Sequence, residues 1–283
     1  MALRSEGFRT IGLYVRAIGT EFYGLLAAAI SDEAEKAGYH VALATSSAQS
    51  GSASDAVDYL RSLRSEAIIV ASGRIDIDRM VGVARHIPLV VAGCVSSPPG
   101  LTTVSDDGTG VDSLVDEVVA AGHRNVGVVD VSERDSMTQG YRSAKLLTSL
   151  AAVGCVVTRV PFDPDFEAPE GRVLREALAD ITVLMCASDP VMINAWEMLT
   201  SWGLDVPNDI SLTGYDGIGA LSSPVLGLTT WSQPLDEVGR TAARRAIQMT
   251  TSPLEPAHVR LRGQLVRGRT LGTPRPHPLP SIA

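Results

Sequence analysis

The sequence predicts an α/β fold of two similar, doubly wound parallel-sheet lobes with a ligand cleft between them. Short apolar runs alternate with segments in which apolar residues recur every three to four positions, and the alternation starts again past Gly122 and His123. The chain of 283 residues is 45% hydrophobic but only 5% aromatic. Alternating strands and helices are typical of parallel sheets covered by helices on both faces, and an aliphatic composition suits them.

The first half of the chain opens with a predicted strand, residues 11–15. The helix that follows ends at Gly38, because glycine favours helix ends. The helix is traced by Phe22, Leu25, Leu26, Ala29, Ile30 and Glu33. The remaining elements of this half, in chain order, are a strand at 40–45, a helix at 55–64, a strand at 67–71, a helix at 76–86, a strand at 88–92, a short extended run at 102–104 and a helix at 110–121.

The second half repeats the alternation. Asp189 before Pro190 is a helix start signal, and Ile, Leu and Thr in residues 210–213 suit a buried strand that ends just before Asp216. The predicted strands cover 126–131, 155–160, 181–187, 210–213, 228–231 and 259–266, and the helices cover 138–153, 171–178, 189–202 and 235–250. The proline-rich tail, residues 273–283, is predicted to be disordered.

The bulk properties exclude several classes of protein. The net charge of −8 repels phosphate, so the chain by itself is predicted to be a poor nucleic-acid binder. Cys94, Cys155 and Cys186 lie far apart without a CxxC pair, which indicates small buried side chains in a reducing compartment. Without a signal peptide or an apolar run of membrane-spanning length, we expect a cytoplasmic protein with no membrane partner.

Nothing in the sequence indicates catalysis. It contains no P-loop, HExxH or GxSxG motif, and its five histidines have no metal-ligand spacing. Asp106 and Asp107 are adjacent in an extended stretch, so their side chains diverge instead of forming an acid/base pair. We therefore expect no enzyme activity, no metal and no cofactor.

The chain resembles the effector-binding core of the LacI/GalR family of bacterial transcription regulators. The residues that carry the resemblance are Val206–Ser211, Gly214–Asp216, Leu228–Thr230, Gln233–Pro234 and Val238–Gly239, and the likeness extends from about Thr10 to Thr270. It implies that the chain crosses between the lobes three times, near Gly122, Ser232 and Leu261. The expected N-terminal lobe is 8–121 plus 235–260, and the expected C-terminal lobe is 123–231 plus 262–272.

The resemblance also implies a function. The expectation is the effector-binding and dimerisation core of a LacI-type regulator, a homodimer that senses a small metabolite, a sugar or a sugar-like compound. In the family a helix-turn-helix head reads operator DNA, and we expect that head to be absent from this chain, since little precedes Ile11. The alternative is an exported sugar-binding protein of a transport system, which shares the fold. The missing leader and the unpaired cysteines favour the regulator.

Strand ends and the resemblance together nominate the ligand-binding residues. Loops at the carboxyl ends of strands converge on the ligand in open α/β sheets. The candidates are Phe22, Tyr23, Arg74 and Asp107 from the first lobe, and Arg134, Met137, Phe166, Ser188 and Asp216 from the second. Phe22 and Tyr23 match paired aromatics of the family, and Phe166 matches a position that stacks on the ligand.

The polar candidates have distinct expected roles. Asp107 and Asp216 match carboxylates that face the effector in the family, and Ser188 stands where an asparagine is usual. Met137 departs from the family, which commonly has an arginine there with a planar fork for hydroxyls or carboxylates; Arg134 is near enough to substitute. Structural alternatives stay open at two positions, because Phe22 also fits the core stripe of its helix and Asp107 also fits a helix cap.

Overall fold

The chain forms two compact α/β units in a computed structural model, which describes residues 9–45, 53–73, 75–94, 98–133, 136–161, 174–252 and 254–276. The first unit comprises Met1–Asp106 and Pro234–Leu261, and the second comprises Asp107–Gln233 and Arg262–Ala283. Each unit is built on a largely parallel sheet, which confirms the predicted fold class. The chain passes between the units after Asp106, after Gln233 and after Leu261, and we call these the first, second and third passages.

The first unit has a parallel sheet with helices on both faces. Its strands are β1 (Thr10–Val15), β2 (His40–Thr45), β3 (Ala67–Ala71), β4 (Leu89–Ala92), β5 (Thr102–Asp106) and β11 (His258–Leu261). Its helices are α1 (Glu21–Lys36), α2 (Ala53–Ser62), α3 (Ile77–Ala84) and α7 (Leu235–Thr251). The strand order is β11-β5-β4-β3-β1-β2, so among the described residues β2 is an edge strand.

The core of the first unit follows from its apolar pattern. All five residues of β3 are buried, because α2 and α3 cover one face of the sheet while α1 and α7 cover the other. Leu25, one of the residues whose spacing predicts the helix, is 41% exposed. The buried stripe of α1 contains Leu26, Ala29 and Ile30, and one residue of a helix turns the side chain by about 100°.

The second unit repeats this architecture. Its strands are β6 (Asn125–Asp130), β7 (Val156–Pro161), β8 (Val183–Met185), β9 (Ser211–Asp216), β10 (Thr230–Ser232) and β12 (Gln264–Val266). Its helices are α4 (Gly110–Ala120), α5 (Met137–Ala152) and α6 (Asp189–Ser201), with a short 3-10 helix at Gly219–Ser222 and further helical residues at 174–177. The order is β12-β10-β9-β8-β6-β7, and β12 alone runs antiparallel to its neighbour β10.

Helix α4 belongs to the second unit, which corrects the predicted lobe boundaries. The sequence placed residues 110–121 in the first lobe and the first passage near Gly122. In the structure Val111, Leu114 and Val118 pack in one cluster with Val126 of β6 and Leu146 of α5. The first passage therefore lies after Asp106, before the helix. Periodicity identifies the buried face of a helix but not the sheet that covers it.

The end of the chain also differs from the sequence prediction. The single run predicted at 259–266 is two strands, β11 parallel to β5 in the first unit and β12 in the second. In the predicted disordered tail, Arg275 donates hydrogen bonds to the carbonyl oxygens of Leu178, Ile181 and Asp209 at 2.7, 2.8 and 2.9 Å. These contacts fix the described part of the tail; residues 277–283 lie outside the described residues.

Candidate functional site

Asp216 is the last residue of β9, at the carboxyl edge of the second unit's sheet. The strand extends three residues beyond the predicted end at Thr213, so Asp216 terminates it instead of following it. Its side chain is 13% exposed, and its φ of 122° lies outside the regions that L-residues favour. Backbone strain at a buried acidic residue is a frequent mark of functional sites.

Two side chains donate to one oxygen of this carboxylate. Arg142 Nη1 lies 2.9 Å and Gln233 Nε2 lies 2.6 Å from Asp216 Oδ1. The guanidinium carbon of Arg142 also lies 3.9 Å from the ring centroid of Tyr215, and its Nη1 donates to the carbonyl oxygen of Ala187 at 3.1 Å. A guanidinium at this distance favours the ionised carboxylate, which accepts hydrogen bonds and donates none.

Sequence reasoning missed both donors. The available signal for Arg142 was its place on α5, four and eight residues before the core side chains Leu146 and Leu150, so a cation occupied the buried stripe of the helix. Gln233 was noted for its match to the family but was not nominated as a site residue. Its contact with Asp216 joins the end of β9 to the last residue of the second unit before the second passage.

Asp189 is a second buried carboxylate close to this edge. Its Oδ1 accepts from Thr230 Oγ1 at 2.7 Å and its Oδ2 accepts from the backbone N–H of Gly217 at 2.7 Å. Burial raises the pKa of Asp189 to about 6, with the Asp216 charge adding to the effect; the bonds from Thr230 and Gly217 and the Arg142 charge oppose it. Asp189 thus joins α6 to β9 and β10 and is not the simple helix cap that its place before Pro190 suggested.

Ser188 lies beside these acids as the N-cap residue of α6. Its side chain makes no capping hydrogen bond, and its residue is 1% exposed. Within the described part of the chain its hydroxyl has no hydrogen-bond partner. An unsatisfied buried hydroxyl is costly, so this group is free to bond a ligand that reaches it.

The other candidates of the second unit lie at the starts of helices or outside the described residues. Met137 is the first residue of α5 and is 36% exposed. Asp107 Oδ1 accepts from both the backbone N–H and the hydroxyl of Thr109, at 3.0 and 2.7 Å. Since Thr109 directly precedes α4, the geometry supports the helix-start role that the sequence left open for Asp107. Arg134 and Phe166 lie outside the described residues.

The first unit contributes an aromatic pair on α1. The rings of Phe22 and Tyr23 meet edge to face, with centroids 5.3 Å apart and planes at 88°. Burial raises the pKa of the Tyr23 hydroxyl, while the Arg16 charge and a hydrogen bond with the Gly73 backbone lower it. Both side chains are partly buried. Arg74 lies outside the described residues.

The grouped side chains suit binding. An ionised carboxylate and a free buried hydroxyl can bond the hydroxyl groups of a small polar molecule. Among the described residues no cluster of His, Cys, Asp or Glu could hold a metal ion, and no helix there is long and apolar enough to cross a bilayer.

Doubly wound units with polar groups at their strand ends are typical of α/β proteins that bind small ligands at the carboxyl edge of the sheet. Residues 115–271, more than half of the chain, match the family described as periplasmic binding protein-like domain, and the chain belongs to that family. It is the core domain of a LacI/GalR-type transcription regulator, as its relatives and structural neighbours show. The resemblance and the regulator function expected from the sequence are therefore confirmed, and the transport protein is disfavoured.

Several relatives are named as transcription regulators or repressors. The ribose operon repressor of Haemophilus influenzae is 24% identical over 90% of this chain and 78% of its own length. The repressor CytR of Escherichia coli is 26% identical over 83% of this chain and 70% of its own length. A transcriptional regulator of Mycobacterium tuberculosis is 29% identical over 73% of this chain, which spans 63% of that protein.

Solved structures agree with the fold. A LacI transcriptional regulator from a Rhodococcus species has a TM-score of 0.80 and 27% identity, over 93% of this chain and 98% of that one. The lac repressor dimer bound to operator and the anti-inducer ONPF also has a TM-score of 0.80, over 95% of this chain and 96% of that one. At 22% identity, the second comparison supports the fold alone.

Proposed function

We propose that this regulator core senses a small polyhydroxylated metabolite, a sugar or a sugar-like compound, at the carboxyl edge of the second unit's sheet. The observation that carries the proposal is the Asp216 carboxylate, which ends β9 with an unusual backbone conformation and lies in an ion pair with Arg142. A carboxylate in that state accepts hydrogen bonds from ligand hydroxyls. The name of the ribose operon repressor among the relatives supports this class of effector.

Ser188 is the proposed second contact. Its buried hydroxyl, unbonded within the described residues, would be satisfied by an effector hydroxyl, and the family resemblance points to the same position. Met137 supplies no hydrogen-bond donor where the family commonly has arginine. We therefore propose that the effector is recognised through neutral hydroxyl groups and not through a carboxylate held in an arginine fork.

Regulation follows from linkage between effector and DNA. In this proposal the effector alters the operator affinity of a helix-turn-helix head. The size of that change is limited by how unequally the effector binds two conformations of the protein. The active form is a homodimer. In the first unit the edge strand β2 carries Leu43, which is 42% exposed, and the adjacent helices α1 and α2 carry Leu25 and Tyr59, 41% and 56% exposed. Exposed apolar side chains around an unpaired edge favour association.

The test measures effector binding directly. Thermal shift with D-ribose, D-glucose and cytidine at millimolar concentrations identifies a binding probe, and calorimetry then compares Asp216→Asn with the wild type. Loss of a charged hydrogen bond costs about 1.5–3 kcal/mol, so binding should weaken roughly 10–100-fold. Asp180→Asn, an exposed acid two residues before Thr182, is the matched control. Binding by Asp216→Asn equal to wild type, or no stabilisation of the wild type by any probe, would contradict the proposal.

Ser188→Ala gives a second readout with opposite signs. Removing a buried hydroxyl that lacks a partner should leave the free protein as stable as before or stabilise it slightly. Effector affinity should nevertheless fall, by roughly tenfold for a neutral hydrogen bond. A variant that loses stability but keeps affinity would give Ser188 a structural role and remove it from the site.

A further inference from the structure

Trp231 is held between two glycines in the second unit. The residue lies in β10 and is 2% exposed. A Cβ atom at Gly110 would lie within 3.0 Å of the indole carbons Cγ and Cδ1. A Cβ atom at Gly263 would lie within 3.0 Å of the indole Nε1 and of the Ser232 carbonyl oxygen. Only glycine fits at either position, because side-chain atoms do not approach this closely.

The contacts of this one side chain lie next to all three passages. Gly110 opens α4, just after the first passage at Asp106. Trp231 itself is two residues before Gln233, which is followed by the second passage. Gly263 follows the third passage at Leu261. The indole therefore joins three chain segments that are far apart in sequence and that each lead out of the unit.

The segment after Trp231 is hydrogen-bonded to Asp216, whose carboxylate is the proposed effector contact. Strand β10 pairs with β9, with Trp231 opposite Tyr215. The backbone N–H of Gln233 donates to the carbonyl oxygen of Asp216 at 2.9 Å, and its side chain donates to Asp216 Oδ1 at 2.6 Å. A displacement of the second passage therefore moves a group that is hydrogen-bonded to Asp216.

We infer that Trp231 is a positioning residue that holds the three passages as one joint and links the geometry of that joint to Asp216 through Gln233. Close-packed contacts do not deform gradually, and hinge motions concentrate in a few residues at element ends. The inference rests on the proposed function only in treating Asp216 as the effector group. It predicts that enlarging a glycine beside the indole changes the relation between the units without unfolding either of them.

Pulsed electron resonance between two spin labels tests this without any effector. Lys36→Cys labels the first unit and Val225→Cys the second, at side chains that are 66% and 79% exposed. Cys155→Ser removes the one cysteine that is not buried. In this background Gly263→Ala should shift or broaden the distance distribution. Gly82→Ala, where a Cβ atom meets nothing within 4 Å, should leave it unchanged.

Two further measurements separate positioning from structure. Trp231→Phe removes the indole nitrogen that the Gly263→Ala methyl group meets but leaves the Ser232 carbonyl oxygen in place, so it should restore part of the wild-type distribution in the Gly263→Ala protein. Hydrogen exchange of β3 and β8 should stay slow in every variant. An unchanged distribution in Gly263→Ala would overturn the inference, and so would lost protection of β3 or β8, which would make the contact merely structural. Because no ligand is used, these outcomes are independent of the calorimetry that tests Asp216.

Discussion

The guanidinium of Arg142 lies 2.9 Å from Asp216 Oδ1, in an ion pair whose side chains are 11% and 13% exposed. The carboxylate that we propose as the effector contact is thus already bonded within its own unit. The same Nη1 also donates to Ala187, and the guanidinium packs over Tyr215. This pair orients the carboxylate in the free chain, and for the proposed site such orientation in advance lowers the entropic cost of binding.

Replacing Arg142 with Met should destabilise the protein strongly. Methionine keeps much of the side-chain volume but leaves the Asp216 charge buried without its cation, and breaking such a pair costs about 3–5 kcal/mol. Urea unfolding measures the loss. The control is Arg159→Met, whose pair with Asp130 is 68% and 33% exposed and should contribute less than about 1 kcal/mol. Equal decreases in unfolding free energy in the two variants would show that the Arg142–Asp216 pair stabilises the protein no more than an exposed ion pair does.

The sequence predicted the carboxylate of this pair but not its partners, for a physical reason. Local apolar runs and turn residues predict where a strand ends, and they placed Asp216 at the carboxyl edge of the sheet. The bonds of Asp216 to Arg142 and Gln233 connect residues 74 and 17 positions apart, and a single sequence carries no record of such pairings. The local signal for Arg142 was a charged residue on the apolar face of α5. Apolar periodicity predicts that this face is buried but does not predict the partner of a charge that lies on it.

The same limit explains the misplaced helix. The inner face of α4 follows from the helical spacing of Val111, Leu114 and Val118, all of which are buried. Its assignment to a unit depended on which sheet covers that face, and this is decided by Val126 and Leu146. Both residues follow the helix in sequence, so chain order alone favours a boundary near Gly122. Element type is local information, whereas unit membership is not.

Stability should depend on pH through Asp189. Its folded pKa of about 6 lies above the usual value of an aspartate near 4, so the folded state binds the proton more tightly than the unfolded chain does. The stabilising contribution is therefore full below pH 4 and is lost as pH rises through 6. A shift of about two units corresponds to about 3 kcal/mol.

The measurement compares the wild type with Asp189→Asn by urea unfolding across the range from pH 4 to pH 7. As the pH rises over this range, the unfolding free energy of the wild type should fall relative to that of the variant by about 3 kcal/mol. Taking the difference cancels the other carboxylates. A difference that stays constant over this range would mean that Asp189 has an ordinary pKa in the folded protein.

Arg275 should stabilise the second unit, although it lies in the segment that the sequence predicted to be disordered. Its guanidinium bonds three backbone carbonyl oxygens within 3.0 Å, and bonds from a charged donor contribute about 1.5–3 kcal/mol each before they are discounted for non-additivity. We expect Arg275→Ala to lower the unfolding free energy by about 2–4 kcal/mol. Arg269→Ala, which removes one exposed bond to Leu226, serves as the control and should cost less than about 1 kcal/mol. Comparable losses in the two variants would mean that the tail contributes little.

The proposed dimer depends on the edge strand β2, and Leu43 is its most direct test. A leucine that is 42% exposed in the isolated chain gains roughly half of the about 1.5–3 kcal/mol that burial of a fully exposed leucine supplies, once in each copy. Leu43→Asp removes this gain and places a charge in the interface, so it should raise the dimer dissociation constant by roughly tenfold or more. Sedimentation velocity over a range of concentrations measures this constant. Leu254→Asp, at 37% exposure in the same unit but outside the edge strand, should dimerise like the wild type. Equal dissociation constants in both variants would exclude β2 as the interface. A wild-type chain that stays monomeric at high concentration would exclude it too, and would also favour the transport-protein alternative, since that class acts without a second copy.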